Sequence, residues 1–444
     1  MKSLLSVLLL VCFAAGTAFA QFPALQYYRP IDKSGINTFE TSKKDTTPYT
    51  GMKLRVGGAF AQDYQFLTHS NTPVRVLKSD STSYNLMPLT SGFNLAEANM
   101  FLDGQLADGI RVNLTVYLSA RHHNESWVKG GYLQMDKLPF LHMDALDDLM
   151  KNVTIKVGDF EPDYGDAHYR RTDGGNEMYN PFVENYIMDD FATEVGGEVL
   201  YHGDNGILGT VGVTSGMLNS TVVAASKIDS ATGSVNTYNP AFVAKLGYDN
   251  QITPDFRFRL TGSIYTVSST SSNTLFGGDR TGSHYFYVME NTAATTTANP
   301  FSGRFNPSFS EAVTAFMVNP FVKFGGLEFF GMFETASGRT ITESTTRKAT
   351  QYSADVIYRF GPNEEFWVAG RYNNLAAQLP KTALNPAALD VSINRIVGSI
   401  GWFITNNVMM KAEYVSQQYK DFPNGDIRHE GKFSGEVIEA AIGF

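Results

Sequence analysis

Residues 110–121 read IRVNLTVYLSAR and change between apolar and polar at nearly every step. The apolar side chains are Ile110, Val112, Leu114, Val116 and Leu118, and between and after them come Arg111, Asn113, Thr115, Tyr117, Ser119 and Arg121. Successive side chains of a β-strand point to opposite faces, so this stretch predicts a strand with one apolar and one polar face. The stretches DFRFRLTGSIY at 255–265 and GEVIEAAIGF at 435–444 repeat the pattern.

The length of these strands separates two kinds of β protein. A soluble sandwich also alternates, but its strands usually span about five or six residues. A strand that crosses an outer membrane needs about 9 to 11 tilted residues, with apolar groups toward lipid and polar groups toward a watery lumen. The stretches here are at least that long, and arginines recur on their polar face. Both features favour membrane-spanning strands.

The alternation predicts about sixteen strands, within a range of about fourteen to eighteen. They lie at about 52–66, 93–106, 110–121, 126–137, 153–160, 191–202, 207–217, 239–249, 255–267, 309–324, 327–337, 349–360, 365–377, 392–404, 408–420 and 431–444. Tight turns such as GDNG at 203 and NN at 406 alternate with long connections, above all 67–92, 161–190 and 268–308. The segment LPFLHMDALDDLMKN is too long for a tight turn and predicts a short helix.

The predicted fold is therefore all-β, a closed antiparallel transmembrane β-barrel with short periplasmic turns and long extracellular loops. A sheet can span hydrocarbon only when it closes on itself, because every backbone N–H and C=O must be paired there. A barrel of about sixteen strands encloses a water-filled channel. Tyr358, Trp402 and Tyr414 are candidates for the aromatic girdles at the membrane interfaces.

The beginning of the chain predicts export. Residues 1–20, MKSLLSVLLLVCFAAGTAFA, resemble a cleavable signal peptide, and a lipoprotein anchor at Cys12 is disfavoured by the bulky Val11 before it. We expect residues 21–50 to form a periplasmic segment and residues 51–444 the barrel, in the outer membrane of a Gram-negative-type bacterium. Cys12 is the only cysteine, which excludes disulfides and thiol chemistry from the exported chain.

Three stretches resemble a known family. They are GGYLQMDKLP followed by VTIKVGDFEPDYG, the hairpin RIVGSIGWFITNNVMMKAEYV, and the terminal Phe444. They resemble outer-membrane porins of the phosphate-selective O and P type. The resemblance implies a sixteen-stranded trimeric channel whose third outer loop folds into the lumen as a constriction. Here that loop is 161–190. Acidic residues at Asp159, Asp163 and Asp166 depart from the family pattern, so phosphate selectivity stays open.

The loop begins with EPDYGDAHYRRTDGG, the densest polar cluster in the chain. Opposed charges around a narrow passage create a transverse field that orients and filters solutes. The predicted constriction residues are Asp159, Glu161, Asp163, Asp166, His168, Arg170, Arg171 and Asp173. The alternative is a solvated outer loop whose charges have no specific effect.

Basic residues on the polar faces are predicted to line the pore. They are Arg111, Arg121, Lys245, Arg257, Arg259, Arg359, Arg371 and Lys411, and acids on the same faces, such as Glu194, Glu198 and Glu439, dilute their charge. The sequence thus favours a porin for passive diffusion of small hydrophilic solutes or ions. A phosphate-type anion channel is the alternative, followed by an outer-membrane enzyme or an adhesin.

Motifs of other functions are missing from the sequence. The adjacent His122 and His123 would point to opposite faces of a strand, and no nucleophile motif accompanies His168 and Asp166. Nothing predicts an enzyme, a cofactor, a metal site or nucleic-acid binding. The predicted partners are outer-membrane lipid and lipopolysaccharide, the barrel assembly machinery that would read Phe444, small solutes or ions, and two further copies in a homotrimer.

Overall fold

Sixteen antiparallel strands close into one barrel in the computed structural model, which describes residues 23–73, 85–118, 127–218, 222, 224, 227–279, 281–381 and 388–444. Each strand pairs with its neighbours in sequence, and β16 pairs with β1. The strands are β1 Lys53–Ser70, β2 Gly92–Ala107, β3 Ile110–Leu118, β4 Trp127–Met135, β5 Val153–Phe160, β6 Glu194–His202, β7 Ile207–Thr214, β8 Ala241–Thr253, β9 Phe256–Val267, β10 Ala312–Phe324, β11 Leu327–Arg339, β12 Arg347–Phe360, β13 Phe366–Gln378, β14 Asp390–Thr405, β15 Val408–Lys420 and β16 Lys432–Gly443.

The predicted fold class, strand count and strand order are confirmed. The strand predicted at 191–202 begins later, at Glu194, because the residues before it pair outside the barrel ladder: the Phe191 N–H donates to the Leu275 carbonyl over 2.7 Å. The described part of the strand predicted at 110–121 ends at Leu118, and residues 1–20 and 119–126 lie outside the described chain. The barrel wall has its smallest height along β3 to β7, because these strands have only 8 or 9 residues.

Alternate side chains of the strands face the outside and the inside of the barrel, as predicted. Leu246, Ile396 and Ile400 expose 70%, 61% and 60% of their surface on the outside, whereas their neighbours Lys245 and Arg395 are buried inside. A sheet can span hydrocarbon only if it is closed and its outer side chains are apolar, and this barrel meets both conditions. The barrel is therefore transmembrane. No helix in the described ranges has the length and apolar character needed to span a membrane.

Aromatic side chains form a row on the outer surface near the short turns. Tyr358, Phe360, Phe366 and Trp402 stack in sequence, with successive ring centroids 6.0, 5.7 and 6.0 Å apart. All four lie close to the turns at 361–365 and 406–407. This row has the position of an interfacial girdle. Tyr414, the third candidate, lies in the middle of β15 and is a mid-band side chain.

The rim with the short turns carries two further features. The connection between β4 and β5 contains a 3₁₀ turn at Pro139–Leu141 and the helix α1 at Asp144–Met150, which confirms the predicted short helix. The N-terminal segment 23–50 lies at the same rim, and its middle part, residues 28–41, reaches into the lumen. Near its start this segment bonds to a short turn, since the Lys33 N–H donates to the Asn406 carbonyl over 2.9 Å. Deeper inside, Glu40 contacts Arg259 at 2.7 Å.

Candidate functional site

The long loop 161–190 crosses the lumen and bonds to the opposite wall. Four of its backbone N–H groups donate to side chains of four strands: Asp163 to Glu198 of β6 (2.6 Å), Asp166 to Asn319 of β10 (2.9 Å), Val183 to Glu413 of β15 (2.7 Å) and Ile187 to Asn373 of β13 (2.8 Å). The loop is therefore fixed at points around much of the wall. Most of its side chains are buried.

The predicted acids at the start of the loop are held by basic residues of the wall. Asp166 accepts from Arg259 through both oxygens at 2.8 Å and contacts Lys245 at 3.1 Å. Asp163 also contacts Lys245 and accepts from the Thr210 hydroxyl at 2.5 Å. Buried charges need such partners, because losing hydration costs several kcal/mol for each ion. These two acids fasten the loop to β8 and β9.

The two predicted arginines have different surroundings. Arg171 contacts Asp173 at 2.7 Å and Asp189 at 2.6 Å, so that it ties the loop to itself. Arg170 lies with its guanidinium carbon 4.7 Å from the centre of the Phe330 ring. Its two terminal nitrogens have no hydrogen-bond partner in the described part of the chain. Burial lowers the pKa of Arg170 from its ordinary value.

Two adjoining cavities, a larger and a smaller one, lie on one side of the lumen, and a separate space of about 380 Å³ lies among the long loops beside Tyr419 and Arg428. A cavity of about 300 Å³ lies between the loop, residues 28–41 and the inner face of β2 to β6. A second cavity of about 210 Å³ lies nearer the long loops and is bordered by Trp127, Leu218 and Phe301. Both cavities are lined by Lys129, Phe191 and Thr193. They meet at these three residues and together follow the low part of the wall.

Five of the predicted constriction residues line the larger cavity, namely Asp159, Glu161, Asp163, His168 and Arg171. Asp159 and Glu161 each have a carboxyl oxygen, Oδ1 and Oε1, without a hydrogen-bond partner among the described residues. Burial raises the pKa of Glu161 to about 8. His168 lies with Nε2 3.5 Å from Asp163, and burial with the nearby Lys245 charge lowers its pKa to about 4. His168 is thus neutral near pH 7.

The predicted pore-lining cations point into the barrel, but acidic side chains hold them. The pairs are Arg111 with Asp103, Lys245 with Asp163 and Asp166, Arg257 with Asp249, Arg259 with Asp166 and Glu40, Arg359 with Glu328, Arg371 with Asp355, and Lys411 with Glu439. Arg111 borders the larger cavity. Arg121, the eighth prediction, lies outside the described residues. The pairs of Lys245 and Arg259 hold the crossing loop and the N-terminal segment, whereas the other five cations pair with acids of neighbouring strands.

Several residues around the cavities were absent from the sequence prediction. Lys129 is the main one, and it contacts Asp279 of loop 268–311. The strand pairing skips it, because Thr115 faces Gly130 and Val116 faces Val128. This bulge turns Lys129 inward although simple alternation places it outside. Loop 268–311 supplies Arg304, which bonds to Asp189 at 2.6 Å and Glu184 at 2.6 Å in the crossing loop.

Comparison with known proteins gives outer-membrane barrels. No family model matches the chain, and no curated protein matches it in sequence. One similar solved structure is the anion-selective porin of Comamonas acidovorans, with a TM-score of 0.49 and 9% sequence identity over 88% of this chain and 100% of that one. Another is the outer-membrane channel DcaP of Acinetobacter baumannii, with a TM-score of 0.49 and 9% identity over 90% of this chain and 99% of that one. OmpT, an outer membrane protein of Vibrio cholerae, is also similar, with a TM-score of 0.48 and 10% sequence identity. The match covers 89% of this chain and 99% of OmpT. The resemblance to phosphate-selective porins stays a prediction.

Proposed function

We propose that this chain is an outer-membrane diffusion channel for small hydrophilic solutes and ions. Its passage runs beside the inner face of β2 to β6, and loop 161–190 forms the opposite side of the constriction. The observation that carries the proposal is the pair of adjoining cavities that meet at Lys129, Phe191 and Thr193. The crossing loop occupies the side of the lumen next to β12 to β15, where it bonds to Asp355, Asn373 and Glu413. Assembly as a homotrimer stays a prediction.

The charges along this passage point to weak cation preference. Most of the ionic groups in the lumen belong to ion pairs, whose fields cancel at a distance. Asp159 and Glu161 are different, because both residues line the cavity and each has a carboxyl oxygen without a hydrogen-bond partner among the described residues. Charge interactions are stronger in such a narrow, poorly hydrated space than in bulk water. These two carboxyl groups are therefore the proposed selectivity residues.

Replacing Asp159 with Asn and Glu161 with Gln is expected to shift the reversal potential in a salt gradient toward anions. The pKa of Glu161 is about 8, so the group is mostly neutral at pH 7 and mostly charged at pH 9. Cation preference of the unmodified channel should then increase between pH 7 and pH 9, and Glu161→Gln should abolish most of that increase. The measurement is the reversal potential of single channels in a planar bilayer.

Asp390→Asn is the matched control, because Asp390 is an exposed acid at the first residue of β14. It should leave the reversal potential unchanged. Equal shifts from the control and from the two cavity variants would contradict the assignment of selectivity to Asp159 and Glu161.

A further inference from the structure

Three side chains converge where the barrel closes on itself. Nδ1 of His284, in loop 268–311, lies 3.0 Å from Oδ2 of Asp63 in β1 and 2.9 Å from Oε2 of Glu439 in β16. Asp63 and Glu439 face each other directly in the β1–β16 pair. All three side chains are completely or almost completely buried. One donor atom from each lies within 4.8 Å of the others.

The chain positions His284 at this seam through several independent contacts. The His284 N–H donates to Glu184 of the crossing loop over 2.7 Å, and its carbonyl accepts from Asn94 over 3.2 Å. Two residues further on, the Phe286 N–H donates to Gln65 of β1 over 3.0 Å. The imidazole is thus held against the wall whatever occupies the space between the three side chains.

Hydrogen bonding within the cluster leaves oxygen atoms without a donor. Nδ1 can carry one proton, and its contact with Asp63 has hydrogen-bond geometry. Oε2 of Glu439 lies equally close to the same nitrogen without such a bond, and Oδ1 of Asp63 also lacks a donor among the described residues. Lys411 binds the other oxygen of Glu439, Oε1, at 2.6 Å, which leaves Oε2 directed at the cluster. Oδ1 of Asn94, the cross-strand neighbour of Asp63, is likewise without a partner.

We propose that Asp63, His284 and Glu439 form a binding site for a divalent transition-metal ion of the Zn²⁺ type, which fastens loop 268–311 to the seam of the barrel. One imidazole nitrogen with carboxylate oxygens is a donor set that Zn²⁺ accepts, with bonds of about 2.0–2.2 Å. Bonds of that length place neighbouring donors roughly 3 Å apart, which the contacts of His284 match. Ca²⁺ prefers six to eight oxygens at longer distances and suits this site less well.

The test uses the full-length chain, purified in detergent, freed of metal with a chelator and titrated calorimetrically with Zn²⁺. The expected result is one Zn²⁺ per chain, with affinity reduced at least about tenfold in His284→Ala and in Glu439→Gln. His142→Ala is the control and should bind as the unmodified chain does, because His142 is exposed in the connection between β4 and β5. Glu439→Gln keeps the shape of the side chain, so it remains informative if His284→Ala fails to fold.

Three results would overturn the metal site. The first is absence of Zn²⁺ uptake by the folded, unmodified chain, which would mean that a protonated His284 merely bridges the two carboxylates. The second is Zn²⁺ uptake that His284→Ala and Glu439→Gln leave unchanged, and the third is Ca²⁺ uptake of the same affinity. Folding of each variant is checked by strand-dominated circular dichroism and by slower gel migration after boiling. None of these readouts depends on whether the barrel conducts.

Discussion

Excision of residues 176–186 is expected to raise the single-channel conductance several-fold. This part of the crossing loop carries the contacts that fill the lumen on the side of β12 to β15, among them the bond from the Val183 N–H to Glu413 and the bond from the Tyr186 hydroxyl to Asp355. Without it, water can occupy the far half of the lumen as well as the cavities beside β2 to β6. Conductance grows with the cross-section of the narrowest part of a pore, so the increase should be large.

The matched control is removal of residues 293–298, a largely exposed stretch of loop 268–311. Shortening that stretch should leave the conductance close to that of the unmodified channel, because its residues lie away from both cavities. A loop 161–190 that merely lay in the external solvent would give the same small effect in both deletions. Equal small effects of the two deletions would contradict the proposal that loop 161–190 forms a constriction.

Deleting Phe444 is expected to lower the amount of assembled barrel on the order of tenfold or more. The backbone N–H of Phe444 donates to the Gly58 carbonyl over 2.9 Å, and its carbonyl accepts from the Gly58 N–H over 3.0 Å. Removing both bonds leaves the backbone N–H and carbonyl of Gly58 unpaired at the end of the closing seam, while Ala59 to Ser70 stay paired with β16. An unpaired backbone group in hydrocarbon costs several kcal/mol, and about 1.4 kcal/mol already changes an equilibrium tenfold. The fraction of protein that resists dissociation in unheated gel samples measures assembly.

Substitutions of Phe444 separate the contribution of its backbone hydrogen bonds from that of its aromatic ring. The first is Phe444→Trp. It keeps the backbone bonds and an aromatic ring on the lipid-facing side, so assembly should stay close to normal. Phe444→Ala keeps the bonds but lacks the ring that an assembly machinery would read, and it should give an intermediate yield. If deletion left the yield unchanged, neither the backbone bonds nor the terminal ring would matter for assembly.

The barrel could be predicted from the sequence because the signal for its strands, the alternation of apolar and polar residues, lies within each strand. Lipid on one side and water on the other impose a period of two, which is visible in IRVNLTVYLSAR without any distant partner. The same alternation correctly placed Arg111, Lys245 and Arg259 inside. Tight turns marked the ends of the strands, so most boundaries agree within a few residues.

The arrangement inside the lumen depends on contacts that no local pattern contains. Asp166 meets Arg259 across 93 positions of sequence, and Arg259 also meets Glu40 from the N-terminal segment. Sequence reasoning expected these charges to face the pore, whereas the structure joins them in pairs. Lys129 was missed for a different reason, because a bulge reverses the alternation of β4 at that residue.

Cysteine labelling tests the proposed passage most directly, since Cys12 is the only cysteine and lies in the predicted signal peptide. Thr193 borders both cavities, whereas Ser399 is buried in the filled half, where its hydroxyl donates to the Pro181 carbonyl over 2.5 Å. Single-channel conductance is recorded before and after a charged, thiol-reactive methanethiosulfonate is added. The proposed passage predicts a large fall in conductance for Thr193→Cys and little change for Ser399→Cys. An unchanged Thr193→Cys channel, together with block of Ser399→Cys, would contradict it.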